Sequence, residues 1–471
     1  MVEQKTSISP RISRREVLKL GSYSLAALVA ASCTRMGRQV LATLTPDTSA
    51  APTQRPTLEP TESPTLVPPT PALTLEQQAA VAEYAPTLQA ELGSKYANAY
   101  GINQKDIKLH KQILGGKYAF QVTEQGDPIA MLNEEGKWED VPLKYLAQPF
   151  GMVMGSDTRE NFSDVQWQKI LVNNFTRATI SPGLEWFESE LTKGNIDFTR
   201  VHDQVDHLKA EGITDFVGHP LIDQRGLPDW LVNGNFSKED LQKIMKNRIE
   251  QAIIQNPDID MWVVINEPYL PPSINPDRSH DIFYKAWGSY DYITEAFQIA
   301  RDISIREKRD VTLIFNDGDN HYAAGQTSES SRKIVKMLKD KNLIDYVGMQ
   351  MHIGEWEKNA YETWMRDNIS NEFQYYNDLN VPILITEISY YPSEEAKKLS
   401  DVEFNNRLAM IFKDIAGFAI DAGVKGMSYW DMTDYYEVDR NNEYTMFDKN
   451  GKPKKAFYEV RRAFFDRLLN N

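Results

Sequence analysis

From Pro142 onward, short apolar runs alternate with longer amphipathic stretches, and this rhythm predicts repeated βα units. The runs place strands at Phe150–Gly155, Lys169–Phe175, Asp215–Ile222, Met261–Glu267, Val311–Asp317, Tyr346–His352, Pro382–Ile388 and Gly426–Asp431. Most are apolar without alternation, as strands buried on both faces of a helix-wrapped parallel sheet must be. Eight is the number that closes a barrel. The expected fold is therefore α/β, a (β/α)8 TIM barrel over residues 142–471. A small α+β appendage over 75–141 precedes it. There Val81, Tyr84, Leu88 and Leu92 space a helix between Leu75 and Tyr100. Residues 107–138 then read as short strands with turns at Gly115-Gly116, Gly126-Asp127 and Glu135-Gly136. The appendage carries no recognisable chemistry, and packing against the barrel is its expected role.

The first 74 residues follow neither pattern. Ser13-Arg14-Arg15-Glu16-Val17-Leu18-Lys19 is similar to a twin-arginine export signal, and an apolar run from Leu20 to Ser32 follows it. That run is too short to serve as a membrane-spanning helix. It ends at Cys33, the chain's single cysteine, in a context resembling a lipoprotein signal, so residues 1–33 are read as an address with Cys33 as the lipidation site. Residues 34–74 are read as a linker; within 44–74 there are eight Pro and eight Thr, a composition that stays extended and cannot pack a core. The expected product is exported and held at the cell surface by a lipid anchor on a stalk.

Charge and cysteine usage narrow the classes further. The net charge is −15, and because residues 1–40 hold seven Lys/Arg against two Glu (+5), the remainder carries −20. Such a surface argues against nucleic-acid partners, and leaves membrane contact to the anchor alone. With its thiol in the leader, the body has no disulfide to form, so its stability must come from its core. Aromatic residues make up 11% of the chain, which suits sugar-stacking clefts as well as large cores.

The predicted strands end on polar residues: Asn173-Asn174, His219, Asn266-Glu267, Asn316-Asp317, Gln350 with His352, Glu387, and Trp430-Asp431. In a (β/α)8 barrel the carboxyl ends of the strands form the catalytic face. Two glutamates converging there, Glu267 and Glu387, are what glycoside hydrolysis needs. Taken singly, each could instead cap a following helix. The pair favours a polysaccharide-cleaving enzyme that requires no metal and no cofactor.

The motifs in order resemble glycoside hydrolase family 10, best known for endo-β-1,4-xylanases, over roughly Pro142 to Leu469. Gly218-His219-Pro220-Leu221 with Leu227-Pro228-Asp229-Trp230 resembles the third-strand motif, and Trp262-Val263-Val264-Ile265-Asn266-Glu267 the fourth. Phe315-Asn316-Asp317, Ile344 to His352, Ile385-Thr386-Glu387, and Trp430 with Asp434 and the segment Phe447–Phe457 resemble the later ones. The resemblance implies Glu267 as general acid/base and Glu387 as nucleophile of a retaining mechanism. It implies substrate binding by His219, Asn266, Gln350, His352, Trp430 and Trp186, with Asn316 and Asp317 fixing loops and charges behind the glutamates. The implied partner is xylan or a related β-glycan, and the chain is read as a monomer.

The departures fall to one side of the cleft. Asp223 and Gln224 stand where the family has Trp and His, and Glu185 where it has a lysine next to Trp186. Val438, with Tyr435 and Tyr436 nearby, replaces a second cleft Trp. These changes leave two other readings open: a barrel glycosidase of different β-glycan specificity, and a non-catalytic carbohydrate-binding surface lipoprotein.

Overall fold

The computed structural model of the chain describes residues 85–114, 118–132, 138–158, 164–268, 282–323, 326–354, 366–430, 432–434 and 444–470. The export signal, Cys33, the linker, two of the three expected appendage turns, Asp431 and the 435–438 segment lie outside the described residues.

The first described helix, α1 (Ala85–Tyr100), precedes a four-stranded antiparallel sheet of β1 (Leu109–Leu114), β2 (Tyr118–Thr123), β3 (Pro128–Leu132) and β4 (Trp138–Asp140). Strands β5 (Val153–Asp157), β6 (Arg177–Ile180), β7 (Asp215–Gly218), β9 (Met261–Asn266), β10 (Thr312–Gly318), β11 (Tyr346–Gly354), β12 (Ile383–Tyr391) and β13 (Gly426–Tyr429) then pair in parallel. Pairing of β13 with β5 and of β9 with β10 closes the ring, while the short β8 (Ile222–Asp223) adds to β9 near its carboxyl end. The expected eight-stranded barrel is thus present. Each barrel strand is followed by a helix: α2 (Val165–Asn174), α3 (Thr199–Ala210), α4 (Lys238–Gln255), α5 (Asp291–Glu307), α6 (Gln326–Asp340), α7 (Arg366–Asp378), α8 (Asp401–Asp421) and α9 (Lys455–Asn470).

One expected strand is a helix. Residues 169–175 belong to α2, whose amino end is capped by the Asp164 carboxylate accepting from the Gln166 and Trp167 amides. Trp167, Ile170, Leu171 and Asn174 face the core at helical spacing, and Asn174 turns back to donate to the Ile170 carbonyl. Asn173 and Asn174 therefore end a helix, not a strand. The second barrel strand is the four-residue β6, where Arg177 is buried against Asp215 of β7, a bidentate pair at 3.0 and 2.9 Å.

Inside the ring, Val217, Val263, Ile314 and Leu384 form a small apolar plug, with Met261 and Tyr346 against it. The larger core lies between barrel and helices, because the other alternate residues of each strand point outward. The alternation slips in the β9–β10 and β11–β12 pairings, and the second slip shows again between β12 and β13, where Ile385 pairs with Met427 but Ile388 with Tyr429. Ile314 pairs with Val263 but Phe315 with Ile265, and Met349 pairs with Ile385 but Gln350 with Glu387. Each slip is a bulge that re-aims the residues after it toward the carboxyl-end face.

The antiparallel sheet and α1 pack on α9. Tyr96 meets Tyr458 edge-on at 5.2 Å between ring centres, Phe120 meets Phe465 at 5.0 Å, and Arg461 pairs with Asp140 at 2.8 Å. Within this region the buried Asp127 accepts from the Tyr96 hydroxyl and, at 3.3 Å, from Thr123 Oγ1.

Candidate active site

Glu387 sits on β12, and its placement depends on the bulge. With Thr386 as the extra residue, both Thr386 and Glu387 reach the same asparagine, which strict alternation would forbid. Thr386 Oγ1 donates to Asn316 Oδ1 at 2.6 Å, and Asn316 Nδ2 donates to Glu387 Oε1 at 3.2 Å. The second carboxylate oxygen is 2.9 Å from His352 Nε2, and the other nitrogen of that imidazole is 2.6 Å from Ser389 Oγ. His219 Nε2 stands 3.9 Å from Oε1. Burial alone would push the Glu387 carboxyl up, but the His352 hydrogen bond, the charges of His352 and His219, and the Asn316 amide outweigh it. The net direction is down, so Glu387 is held ionised.

Glu267 is built differently. It follows the last residue of β9 with φ 45°, in the left-handed region that a non-glycine residue enters only when its surroundings over-determine it. Its amide donates to the Asn316 carbonyl at 3.1 Å, which fixes that turn. The carboxylate accepts from Gln350 Nε2 at 3.0 Å and forms an ion pair with Arg225. Burial pushes its carboxyl up, Arg225 opposes this, and the negative charges of Asp223 and Glu387 add to it. The net direction is up, opposite to Glu387.

Amides join the two carboxylates. Gln350 Nε2 donates to Asn266 Oδ1 at 3.1 Å as well as to Glu267, and Asn316 Nδ2 donates to Asn266 Oδ1 at 2.9 Å as well as to Glu387. Asn266 Nδ2 donates to Asp223 Oδ2 at 2.7 Å, which fixes the orientation of its amide and leaves a second N–H to offer. Trp430, half-buried, closes one side, its ring centre 5.6 Å from that of His219 and 6.1 Å from that of His352. Asp317 stands behind the site, buried, accepting from Ser331 Oγ at 2.6 Å; burial drives its carboxyl well above the usual carboxylate range.

The structure therefore gathers Glu267, Glu387, His219, Asn266, Gln350, His352 and Trp430 at one end of the barrel, with Asn316 touching the nucleophile candidate directly. It does not bring Trp186 there. That side chain is 2% exposed, donates through Nε1 to Glu190 at 2.7 Å, and stacks toward Phe283 at 6.3 Å, so it is a core residue rather than a sugar platform. Sequence reasoning missed Arg225, Ser389 and Thr386, and took Asp223 only as a departure. A charge two residues beyond a strand-end aspartate was the available signal for Arg225. For Thr386 no sequence signal exists, because a bulge is set by pairing.

The profile of Glycosyl hydrolase family 10 matches residues 142–463. The chain belongs to this family. Among family relatives, endo-1,4-beta-xylanase B of Thermotoga neapolitana is 23% identical over 353 residues, 70% of this chain and 93% of that protein. A beta-1,4-xylanase of Dictyoglomus thermophilum is 25% identical over 353 residues, 70% of this chain and 94% of that one. Among solved structures, xylanase 10B from Thermotoga petrophila in complex with xylobiose superposes with a TM-score of 0.60 at 22% identity, covering 70% of this chain and 99% of that chain. At that identity the superposition speaks for the fold. The family 10 domain is a xylanase-like glycoside hydrolase, and its barrel carries both glutamates at the face where the family fold keeps its chemistry.

Proposed function

We propose that this family 10 domain is a retaining hydrolase of β-1,4-xylan or a closely related β-glycan, with Glu387 as nucleophile and Glu267 as general acid/base. What carries this reading is the opposite treatment of the two carboxyls: Glu387 is pushed toward ionisation and Glu267 toward protonation within one amide-linked cluster. Divergent proton affinities in neighbouring carboxyls mark an acid and a base or nucleophile.

In the first step a Glu387 oxygen bonds to the anomeric carbon while the glycosidic bond breaks, and the Glu267 proton passes to the departing oxygen. In the second, water attacks the anomeric carbon, gives its proton to Glu267, and the bond to Glu387 breaks. The free N–H of Asn266 is suited to the sugar 2-hydroxyl, and Trp430 to the apolar face of the ring. His219 and Gln350 line the same space. The relatives' names, all xylanases, support xylan as the first substrate to try.

The deciding experiment is the product profile on xylan, mixed-linkage glucan and cellulose, with the anomeric configuration of the first product followed by NMR. Initial release of the α-anomer would end the retaining assignment, and inactivity on xylan would end that choice of substrate. A different β-glycan is the second reading, favoured by the buried Asp223 with the half-exposed Arg225 beside it and by the withdrawal of Trp186 into the core.

The chain's placement is part of the same proposal. Residues 1–33 act as a twin-arginine lipoprotein signal, 34–74 as a stalk, 75–141 as the appended module, and Cys33 carries lipid. Cys33→Ala is expected to abolish fatty-acid labelling and release activity into the medium; unchanged labelling would refute the anchor.

A further inference from the structure

The turn after β8 is built to deliver one cation to one carboxylate. Asp223 caps it, its Oδ1 accepting from the Arg225 amide at 2.7 Å. Gln224 is buried and donates through Nε2 to the Pro268 carbonyl at 3.1 Å and to the Tyr292 hydroxyl at 2.7 Å. That ties the turn to the residue immediately after Glu267. On the far side, a Cβ at Gly226 would lie 2.6 Å from Glu185 Oε2, so the glycine leaves room for the buried Glu185 carboxylate beneath the turn. Arg225 keeps a side chain 40% exposed, yet its guanidinium is committed to Glu267. Four carboxylates face it, from Glu267, Asp223, Glu387 and Glu185, on four separate segments.

We propose that Arg225 is a positioning residue for the reaction: it fixes the Glu267 carboxyl group and divides its two duties, favouring the base that activates water over the acid that protonates the leaving group. This rests on Glu267 being the acid/base. The charged groups that face Glu267 are Arg225 and Asp223 on the turn, Glu387 on β12 and Asp317 on β10; Arg225 alone among them is a cation. The histidines nearby, His219 and His352, act on Glu387. A cation in contact with a carboxylate stabilises its ionised form, which helps a base and hinders an acid. Glu267 must nonetheless hold a proton in the first step, and the burial that pushes its carboxyl up supplies that counterweight.

The test compares Arg225→Met and Arg225→Lys with the unmodified enzyme in two measurements. The first follows the Glu267 carboxyl by carbon NMR of glutamate-labelled protein, its signal identified with Glu267→Gln. Its titration midpoint is expected to rise by about 1 pH unit in Arg225→Met and to stay near the original value in Arg225→Lys. The second is the pH dependence of kcat/KM on xylotetraose, whose basic limb reports the free enzyme's acid and is expected to move upward by the same amount. With dinitrophenyl β-xylobioside, whose departure needs no proton, that limb should not move. There kcat, limited by the second step, should fall about tenfold, the scale of a lost charge-assisted hydrogen bond. A midpoint unchanged in Arg225→Met overturns the inference. If instead the midpoint moves but Glu267→Ala slows both substrates equally, the acid/base assignment of Glu267 fails and the inference falls with it. The two failures are thus distinguishable.

Discussion

The two carboxylates of the cleft lie at the same end of the same barrel, Glu387 buried and Glu267 half-buried, and their surroundings differ in kind. Glu387 lies inside a long strand, its oxygens taken up by an asparagine and a histidine that are themselves held by Thr386 and Ser389. Glu267 lies one residue past a strand end, on a left-handed turn, and its partners are a glutamine and a half-exposed arginine on a separate turn. The nucleophile proposed at Glu387 must keep one charge and one direction throughout, and a strand interior provides both. An acid/base has to change its protonation twice per cycle. Its partners must tolerate both forms, which an amide and a cation balanced against burial can do. Asp127 makes the contrast plainer. It is as buried as Glu387 and its carboxyl is likewise pushed up by burial, yet its partners are Tyr96 and Thr123 of the packed appendage and Arg462 of α9, away from the two glutamates. Burial perturbs an acid; converging donors at an open face give it work.

This contrast can be broken by substitution. The largest effect is expected from Glu387→Ala, which should reduce hydrolysis of every substrate to the detection limit; residual turnover on activated aryl glycosides comparable to the parent would reverse the assignment. Glu267→Ala comes next, with a loss of roughly 10²–10⁴-fold on natural glycan and a much smaller one on dinitrophenyl glycosides, since a positioned acid contributes about that much. Kinetics with a series of leaving groups would display the difference as a steep dependence on leaving-group pKa. His352→Ala should lower kcat/KM by about 10–100-fold, the scale of a hydrogen bond to a charged group. It should also move the acid limb to higher pH: the histidine holds the Glu387 carboxyl down, so removing it raises the pH at which Glu387 ionises. Arg225 variants move the opposite limb, and a His352 variant that shifted the basic limb instead would undo the division drawn here. Trp186→Phe is the smallest. It should cost about 1–3 kcal/mol of stability from the lost bond to Glu190, visible in thermal unfolding, and leave KM for xylotetraose unchanged.

Much of the barrel was legible because its strands are buried on both faces. Met261–Asn266 opens on the continuous apolar run Met261–Ile265 for that reason, Tyr346–Gly354 and Ile383–Tyr391 open on shorter ones before their polar residues, and all three begin within one residue of where the pattern put them. The misreading at 169–175 has a local cause. Ile170-Leu171-Val172 followed by Phe175 reads as a strand over so few residues, and the helix is revealed only when Asp164 is taken as its cap and Trp167 as its first core contact. The true strand, Arg177–Ile180, escapes notice because one of its four residues is an arginine whose charge is matched across the sheet by Asp215.

By itself the sequence determined the βα rhythm and the polar strand ends, with Glu267 and Glu387 among them as the candidate pair, since these follow from periodicity and from what residue types can do. Tertiary structure alone decided which polar residues meet. The bulge at Thr386 aims Glu387, Trp186 retreats into the core, and Arg225 crosses from a neighbouring turn to reach Glu267. Strand register and the reach of a long side chain depend on segments far apart in the chain, and no local pattern encodes them.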